Sequence, residues 1–272
     1  MISEAAKLYK HLLTIDKSEV PIIVPVFDLV TYAKFMVSQL LDYGLENFII
    51  CDNNSTYPPM IEYLDELSKT QRVVRFDENL GPRVFAERPD FLSIMPEYFI
   101  ITDPDIKFNK NLPKNFIEKM KTIIETYGVS KCGFAVDVWS DEACSKFYKR
   151  KEILSGEFSL WSKKINNEYE KDDLYVAQID TTFCLYNSEK IKNEINSAGM
   201  LCNTSSIRIA GRFLCEHMGY WEKQPITHEE EEYYKDSNIW SATVHIKKYG
   251  DNVIYQKTIE SLYSNKDKDK KW

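Results

Sequence analysis

Two carboxylates, Asp103 and Asp105, stand either side of Pro104, directly after the apolar run Tyr98-Phe99-Ile100-Ile101 and Thr102. Strand propensity gives out where the carboxylates begin, and proline cannot donate to a central ladder. The pair therefore belongs just past the C-terminal end of a strand, the edge at which open α/β sheets bind ligands. Two hard oxygen ligands there can hold a divalent cation, and the cation can hold a diphosphate. The same three residues also describe a plain turn leaving a strand, since Asp and Pro are ordinary turn residues. A further lone acid, Asp180, sits in the otherwise uncharged stretch from Leu174 to Tyr186. A buried acid must be paired, hydrogen-bonded or shifted in pKa, which makes Asp180 a candidate for proton transfer. The alternative is an aspartate bonded to Thr181 or Thr182 at a strand irregularity.

The elements that must position these acids alternate along the chain. A short amphipathic helix over residues 1–16 comes first. Val20 to Phe27 is an almost continuous apolar run, as a strand covered on both faces requires. A helix follows from Leu29 to Tyr43 and stops at Gly44. Phe48 to Cys51 is a second buried strand, left by Asp52-Asn53-Asn54-Ser55-Thr56. Pro58-Pro59 opens a helix to Ser68, because proline is tolerated in a first turn. Arg72 to Phe76 is a third strand, and Asn79-Leu80-Gly81 beyond it is a turn by its own chemistry. This alternation predicts an α/β fold, a mostly parallel central sheet flanked by helices with right-handed crossovers.

The second half is less regular. Asn115 to Thr126 reads as a helix and Lys131 to Val138 as a strand. Residues 139–173 read as a loop-rich insertion over the sheet, and Leu174 to Tyr186 as one strand. Ser188 can cap a helix to Asn196, while Thr227 and Glu230 have capping-box spacing. The lysine-rich tail, 264–272, reads as disordered. Three histidines, His11, His228 and His245, lie in segments without a catalytic pattern.

Composition narrows the class. At 272 residues the chain can bury one substantial core, and 43% hydrophobic and 13% aromatic residues mark a globular sequence. A formal charge of −7 with Lys and Arg intermixed gives nucleic acid no default footing as a partner. Six cysteines show neither a C-x-x-C pair nor regular spacing, which reads as free thiols in a reducing cytoplasm. Met1 opens into a charged, helix-like segment with no leader pattern, and no apolar run approaches the roughly 20 residues that span a bilayer. The expectation is a soluble, cytoplasmic chain with at most peripheral membrane contact.

Several stretches together resemble a known family. Pro21-Ile22-Ile23-Val24-Pro25-Val26-Phe27-Asp28, Asp52-Asn53-Asn54-Ser55-Thr56, Asn79-Leu80-Gly81 and Asp103-Pro104-Asp105 look like family 2-type glycosyltransferases of the GT-A fold, in order and spacing. The match covers residues 20–110. Ile179-Asp180-Thr181-Thr182-Phe183 and His217-Met218-Gly219-Tyr220-Trp221 look like the acceptor-side half of small non-processive bacterial members. The resemblance implies a single GT-A domain over 1–272, with a nucleotide-sugar half at 20–110 and an acceptor half at 111–255. It implies a nucleotide-sugar donor, often UDP-linked, a glycan or lipid-linked glycan acceptor, and Mn²⁺ or Mg²⁺.

Donor contacts are then expected from Pro25, Phe27, Asp52, Asn53, Asn79, Gly81, Arg83 and Asp103, with Asp52 on uracil. Asp52 also reads as an Asx turn, and Arg83 as a surface partner of Asp77 or Glu87. Asp103 and Asp105 are the implied metal ligands. His217 is the candidate third ligand, against a structural histidine among Tyr220, Trp221 and Phe213. An inverting transfer needs a carboxylate base, and Asp180 is the candidate. The family often has an adjacent Glu-Asp pair here, whereas Gln178-Ile179-Asp180 has one acid, so Glu216 or the run from Glu229 to Glu232 is the alternative. The Gln-x-x-Arg-Trp pattern of processive synthases is missing, which points to single-sugar addition. A sugar-nucleotide pyrophosphorylase would need a Gly-rich, lysine-containing loop after the first strand, and Val26-Phe27-Asp28-Leu29 offers none. A non-catalytic nucleotide-sugar or glycan-binding module fits the same residues.

Overall fold

The computed structural model describes residues 3–165, 172–198 and 204–237. Strands are β1 Ile22–Val26, β2 Phe48–Asp52, β3 Arg72–Arg75, β4 Tyr98–Ile101, β5 Ile106–Phe108, β6 Lys131–Phe134, β7 Lys164–Ile165, β8 Leu174–Val176, β9 Cys184–Asn187, β10 Ser206–Ile209 and β11 Cys215–His217. Helices are α1 Glu4–Leu12, α2 Val30–Asp42, α3 Pro58–Leu67, α4 Val84–Glu87, α5 Pro89–Ile94, α6 Phe116–Tyr127, α7 Asp141–Cys144, α8 Arg150–Phe158, α9 Ser188–Ala198 and α10 His228–Ser237.

Nine strands form one sheet in the order β3-β2-β1-β4-β9-β6-β10-β8-β7. The pairs β3–β2, β2–β1, β1–β4 and β6–β10 are parallel. Antiparallel β9 sits between β4 and β6, and β8 between β10 and β7, so among the described strands of this sheet only these two oppose the common direction. The mixed α/β architecture with a mostly parallel sheet is the one the alternation predicts.

Period-two side-chain alternation supplies both faces of the sheet. Ile22, Val24 and Val26 of β1 join a core with Met36 and Leu40 of α2, Leu64 of α3 and Phe116 and Ile124 of α6. Ile23 points the other way, into a core with Leu8 of α1, Phe85 of α4, Phe91 of α5 and Ile191 of α9. That two-sided burial is why the Val20–Phe27 run carries almost no polar residue.

Pro25 explains where the sheet opens. The β1–β4 ladder ends at Ile23↔Ile101, while β1 continues beside β2 to Val26↔Asp52. Alternate residues face alternate neighbours, and Ile23 O accepts from Thr102 on the β4 side. The missing N–H of Pro25 therefore faces β4 beyond the last paired residue, where it costs no ladder bond.

Three expectations need correction. The 139–173 insertion is ordered into α7, α8, a 3₁₀ turn at Ser159–Trp161 and β7 over its described part. The stretch from Leu174 to Tyr186 is two strands, β8 and β9, broken by a loop over 177–183. The capping box is half formed: Glu230 N–H donates to Thr227 Oγ1 at 3.1 Å, but the Glu230 carboxylate crosses to α2 instead. There it accepts from the Thr31 N–H at 2.8 Å and the Thr31 hydroxyl at 2.6 Å. The acidic run at the start of α10 thus contains a buried acid that supplies α2 with the cap its own Leu29 lacks.

Cys51, Cys132, Cys144, Cys184 and Cys215 are buried free thiols, as expected; Cys202, His245 and the 264–272 tail lie outside the described residues. Among the described residues no helix is long and apolar enough to cross a membrane. Because Glu230 satisfies two donors of α2, Glu230→Ala is expected to lower stability by about 1–3 kcal/mol. The exposed Glu232→Ala is expected to stay within about 0.5 kcal/mol. Urea unfolding of both variants checks the contrast.

Candidate functional site: an acid and histidine cluster at the strand ends

Asp103 and Asp105 leave the end of β4, as the sequence predicts, and the chain turns back at once into β5. Antiparallel pairing of β5 with β11 sets Ile106 opposite His217. His217 Nδ1 consequently lies 3.1 Å from Asp105 Oδ2. One ligand atom each from Asp103, Asp105 and His217 lies within 4.8 Å of the others.

Each member is held from behind. The Asp103 N–H donates to Thr181 O at 2.9 Å, and the Thr181 hydroxyl lies 2.5 Å from Asp103 Oδ2. Asp105 O accepts from the Met218 N–H at 2.9 Å, and its Oδ2 accepts from the Gly219 N–H at 3.1 Å. The His217 ring stacks on Tyr220, with centroids 4.2 Å apart and planes 6° from parallel. The Tyr220 hydroxyl donates to Glu157 Oε1 at 3.3 Å, and Glu157 Oε2 pairs with the Arg208 guanidinium at 2.8 Å. Glu157 and Arg208 are both buried, and such a pair fixes position more than it adds stability.

Burial pushes the Asp103 carboxyl up to about 7, helped by the Asp105 charge. Burial alone would lower His217, but Asp105 and then Asp103 outweigh it and hold the imidazole up at about 9. This excess of close negative charge is what a bound cation relieves. His217 Nδ1 is buried near Asp105 yet lacks hydrogen-bond geometry, so it stands as an unmatched atom facing the carboxylates. A Cβ on Gly219 would come within 2.5 Å of Asp105 Oδ2, so only glycine leaves that carboxylate its place. Two carboxylates and one imidazole fit a divalent cation. The mixed set suits Mn²⁺ better than Mg²⁺, which demands near-ideal oxygen octahedra.

The expected donor-side residues gather along the neighbouring strand ends. Asp52, 3% exposed, ends β2 and accepts the Ser55 N–H at 3.0 Å, forming the turn that was its alternative reading. Burial pushes its pKa up, and bonds from Ser55 oppose that. Asn53 Oδ1 accepts the Leu80 N–H at 3.2 Å, and Asn79 Oδ1 accepts the Gly81 N–H at 3.0 Å. These two bonds join the Asp52–Thr56 and Asn79–Arg83 loops, and Gly81 supplies the left-handed φ of +77° that the second loop needs. Asp28, buried beside Phe27, takes the Thr56 and Tyr57 N–H groups on Oδ1 at 2.7 and 2.8 Å, while its Oδ2 has no partner among the described residues. Helix α10 lies against this group: Tyr234 is 6.3 Å from Phe27, and the Tyr233 hydroxyl is 3.0 Å from that of Thr56.

Arg83 is exposed, 3.7 Å from Glu87 and 3.8 Å from Asp180. Asp77, the other partner considered, pairs with Lys7 instead. Asp180 departs from the sequence reading. Its side chain is 59% exposed in the 177–183 loop, because β8 ends at Val176 and β9 begins only at Cys184. Burial therefore gives no ground for singling it out; its position beside Thr181 and Arg83 does. Glu216 is bound between Lys107 at 2.7 Å and Lys146 at 2.8 Å. Burial would raise its pKa, but the two ammonium groups outweigh that and hold it low. Glu231 and Glu232 pair with Lys235, and Glu230 caps α2.

Sequence reading missed Thr181 as the orienter of Asp103, Gly219 as the cradle of Asp105, and the Glu157–Arg208–Tyr220 support behind His217. A glycine two residues past a candidate ligand was a usable signal for the second. The others depend on long-range contacts that no local pattern carries.

Fold and cluster together define an α/β protein with a strand-edge site suited to a divalent cation and the anion it holds. No protein-family model matches the chain, nor does any curated protein. Among solved structures, TarS of S. aureus matches over 84% of this chain and 45% of its own at 11% identity and a TM-score of 0.42. GalNAc-T7 with UDP, GalNAc and Mn²⁺ matches over 83% of this chain and 48% of its own at 10% identity and a TM-score of 0.44. HddC from Yersinia pseudotuberculosis matches over 64% of this chain and 80% of its own at 11% identity and a TM-score of 0.35. The chain spans about half the length of either TarS or GalNAc-T7. With each of these TM-scores below 0.5, the likeness carries no argument about activity, which has to come from the site itself.

Gly219→Ala is expected to weaken Mn²⁺ binding about tenfold or more by displacing Asp105, and Asp105→Ala to abolish it, with both folds retained. Calorimetry with Mn²⁺ alone reads this out. Binding must also displace the protons on His217 and Asp103. Affinity is therefore expected to rise about tenfold per pH unit between pH 7 and 9, where one proton is lost, and more steeply below pH 7. A flat pH profile would exclude His217 as a ligand.

Proposed function

We propose that the chain transfers one sugar from a nucleotide-sugar donor, UDP-linked by preference, to a hydroxyl of a glycan or lipid-linked glycan, with inversion. The observation that carries this reading is the convergence of Asp103, Asp105 and His217 beside the strand-end loops at Asp52 and Asn79. A Mn²⁺ or Mg²⁺ ion held by the three would supply charge to stabilise a leaving diphosphate. Asp52 and Asn53, at the end of β2, are assigned to the nucleobase, Phe27 and Pro25 to the wall beside it, and Asn79 to Arg83 to the phosphate side. Arg83, exposed and loosely paired at 3.7–3.8 Å, is free to swing toward an anion.

Asp180 is assigned as the general base. The acceptor oxygen forms its bond to the anomeric carbon, the bond from that carbon to the diphosphate oxygen breaks with its electrons leaving on the diphosphate, and the acceptor proton passes to Asp180. Three features support the choice over the other acids. Asp180 is open to an incoming acceptor, it adjoins Thr181 and hence Asp103, and of the alternatives Glu216 and Glu230 to Glu232 are already engaged, while Glu229 is an exposed first-turn acid of α10. Tyr186 and Lys131, both fully buried, hold the loop by donating to Asp180 O at 2.9 Å and Ile179 O at 2.8 Å. The biological setting that fits is surface polysaccharide or other glycan synthesis at the cytoplasmic side, with at most peripheral membrane contact.

Asp180→Asn keeps the shape and removes the proton acceptor. Transfer is expected to fall by roughly 10²–10⁴ while Mn²⁺-dependent UDP affinity is unchanged. Near-normal turnover would reject Asp180 as base. A product retaining the donor's anomeric configuration would reject direct displacement, whatever the variant did. Mn²⁺-independent UDP binding by the native chain would remove the proposal as a whole.

A further inference from the structure

Four aromatic residues, two of them open at the surface, contact one another across α8, the turn that follows it and β8. Trp139 and Phe158 are 59% and 41% exposed, with ring centroids 5.0 Å apart. Trp161 meets Trp139 edge-on at 5.6 Å, and Tyr175 meets Trp161 at 4.9 Å. Two aromatic ring faces are therefore open to solvent side by side.

The segments that carry these rings are tied to the supports of the candidate site at two points. Trp139 stands two residues after Asp137, whose N–H donates at 2.7 Å to Cys215 O in β11, the strand that ends in His217. Phe158 follows Glu157, which faces inward at 8% exposure and receives the Tyr220 hydroxyl beneath the His217 ring. Polar groups rim the rings. Asp137 and Ser140 flank Trp139, and the Lys164–Asp173 pair at 2.8 Å stands beside Tyr175.

We propose that Trp139 and Phe158, backed by Trp161 and Tyr175, form a carbohydrate subsite, on whose open ring faces the apolar face of a pyranose in the acceptor glycan stacks. A pyranose presents C–H bonds on one face and hydroxyls around its edge, which matches flat, weakly polar rings inside a polar rim. Two half-open rings offer roughly 200 Å², enough for one or two sugar rings. A stable protein interface buries about 800 Å² per partner, so a second copy of the chain is too large an occupant for it. The role of the platform as acceptor subsite rests on the transfer reading above, but glycan binding by it does not.

The test is ¹⁹F NMR of protein labelled with 5-fluorotryptophan, titrated with soluble glycans chosen by screening the protein on a broad glycan array. Trp139→Phe assigns the resonance. At least one array glycan is expected to shift the Trp139 signal, and Trp139→Ala and Phe158→Ser are each expected to weaken that glycan about tenfold, the upper end for one aromatic contact. Both exposed substitutions are expected to keep the native melting temperature and Mn²⁺-dependent UDP affinity. Absence of any array binding, or unchanged affinity in both variants, overturns the platform even if Mn²⁺-UDP binds. Glycan binding without Mn²⁺-dependent UDP binding would support the platform and overturn the transfer reading. A concentration-dependent dimer in sedimentation velocity that Trp139→Ala abolishes would assign the surface to a second copy and overturn the proposal.

Discussion

The short ladder between β5 and β11 is the constraint on which the site depends. Three facing pairs, Phe108↔Cys215, Lys107↔Glu216 and Ile106↔His217, bring a histidine to a carboxylate more than a hundred residues away in the chain. Closing such a loop costs entropy, so the ladder has to be held by more than its own bonds. On one edge, the Gln39 side chain of α2 acts as a surrogate strand, donating to Ile106 O at 2.9 Å and accepting from the Phe108 N–H at 2.8 Å. On the other, Cys215 exchanges bonds with Ala135 and Asp137 just past β6. The small sheet is thus wedged between a helix that covers the large sheet and a strand that belongs to it.

Inside that wedge the electrostatics are deliberately unbalanced. Asp103 and Asp105 face each other's charge in a half-buried setting, and the imidazole answers only part of it. A protein holds such an arrangement only when the surrounding structure over-determines it. Here the over-determination is visible: Thr181 fixes Asp103 by backbone and side chain, Gly219 and Met218 fix Asp105, and Tyr220 fixes the plane of His217. The placing of the three groups is therefore a property of the assembled fold, and a cation would replace the protons that Asp103 and His217 hold.

The same supports link the cluster outward. Thr181 belongs to the loop that presents Asp180, and Tyr186 and Lys131 set the height of that loop from below. Tyr220 passes to Glu157 and Arg208, and Arg208 donates at 2.8 Å to Gln178 O in that same loop. One buried ion pair therefore touches both the histidine side and the aspartate side of the site. On the β2 side, α10 is tied down by Glu230 and Tyr233, which sets its aromatic residues against Phe27 and Tyr57.

The sequence by itself determined the parallel half of the fold and the location of the paired carboxylates. Continuous apolar runs, helix stops and proline placement are local signals, and β1 to β4 form where those signals put them, within a residue or two at each end. Asp103 and Asp105 fall past a strand end for the same local reason. Asp180 was misjudged because an uncharged run does not say whether it is one strand or two. The break came from β9 pairing antiparallel with both β4 and β6, a long-range choice that leaves 177–183 as an exposed loop. The burial of Glu230 was not legible for a similar reason, since it depends on Thr31, on a helix nearly two hundred residues earlier. His217 was a candidate on paper, and only the register of β5 against β11 made it a neighbour of Asp105. Local sequence fixes what a segment can become; which acids are buried, which are open and which share a cation site is decided by contacts between segments, and these exist only once the chain has folded.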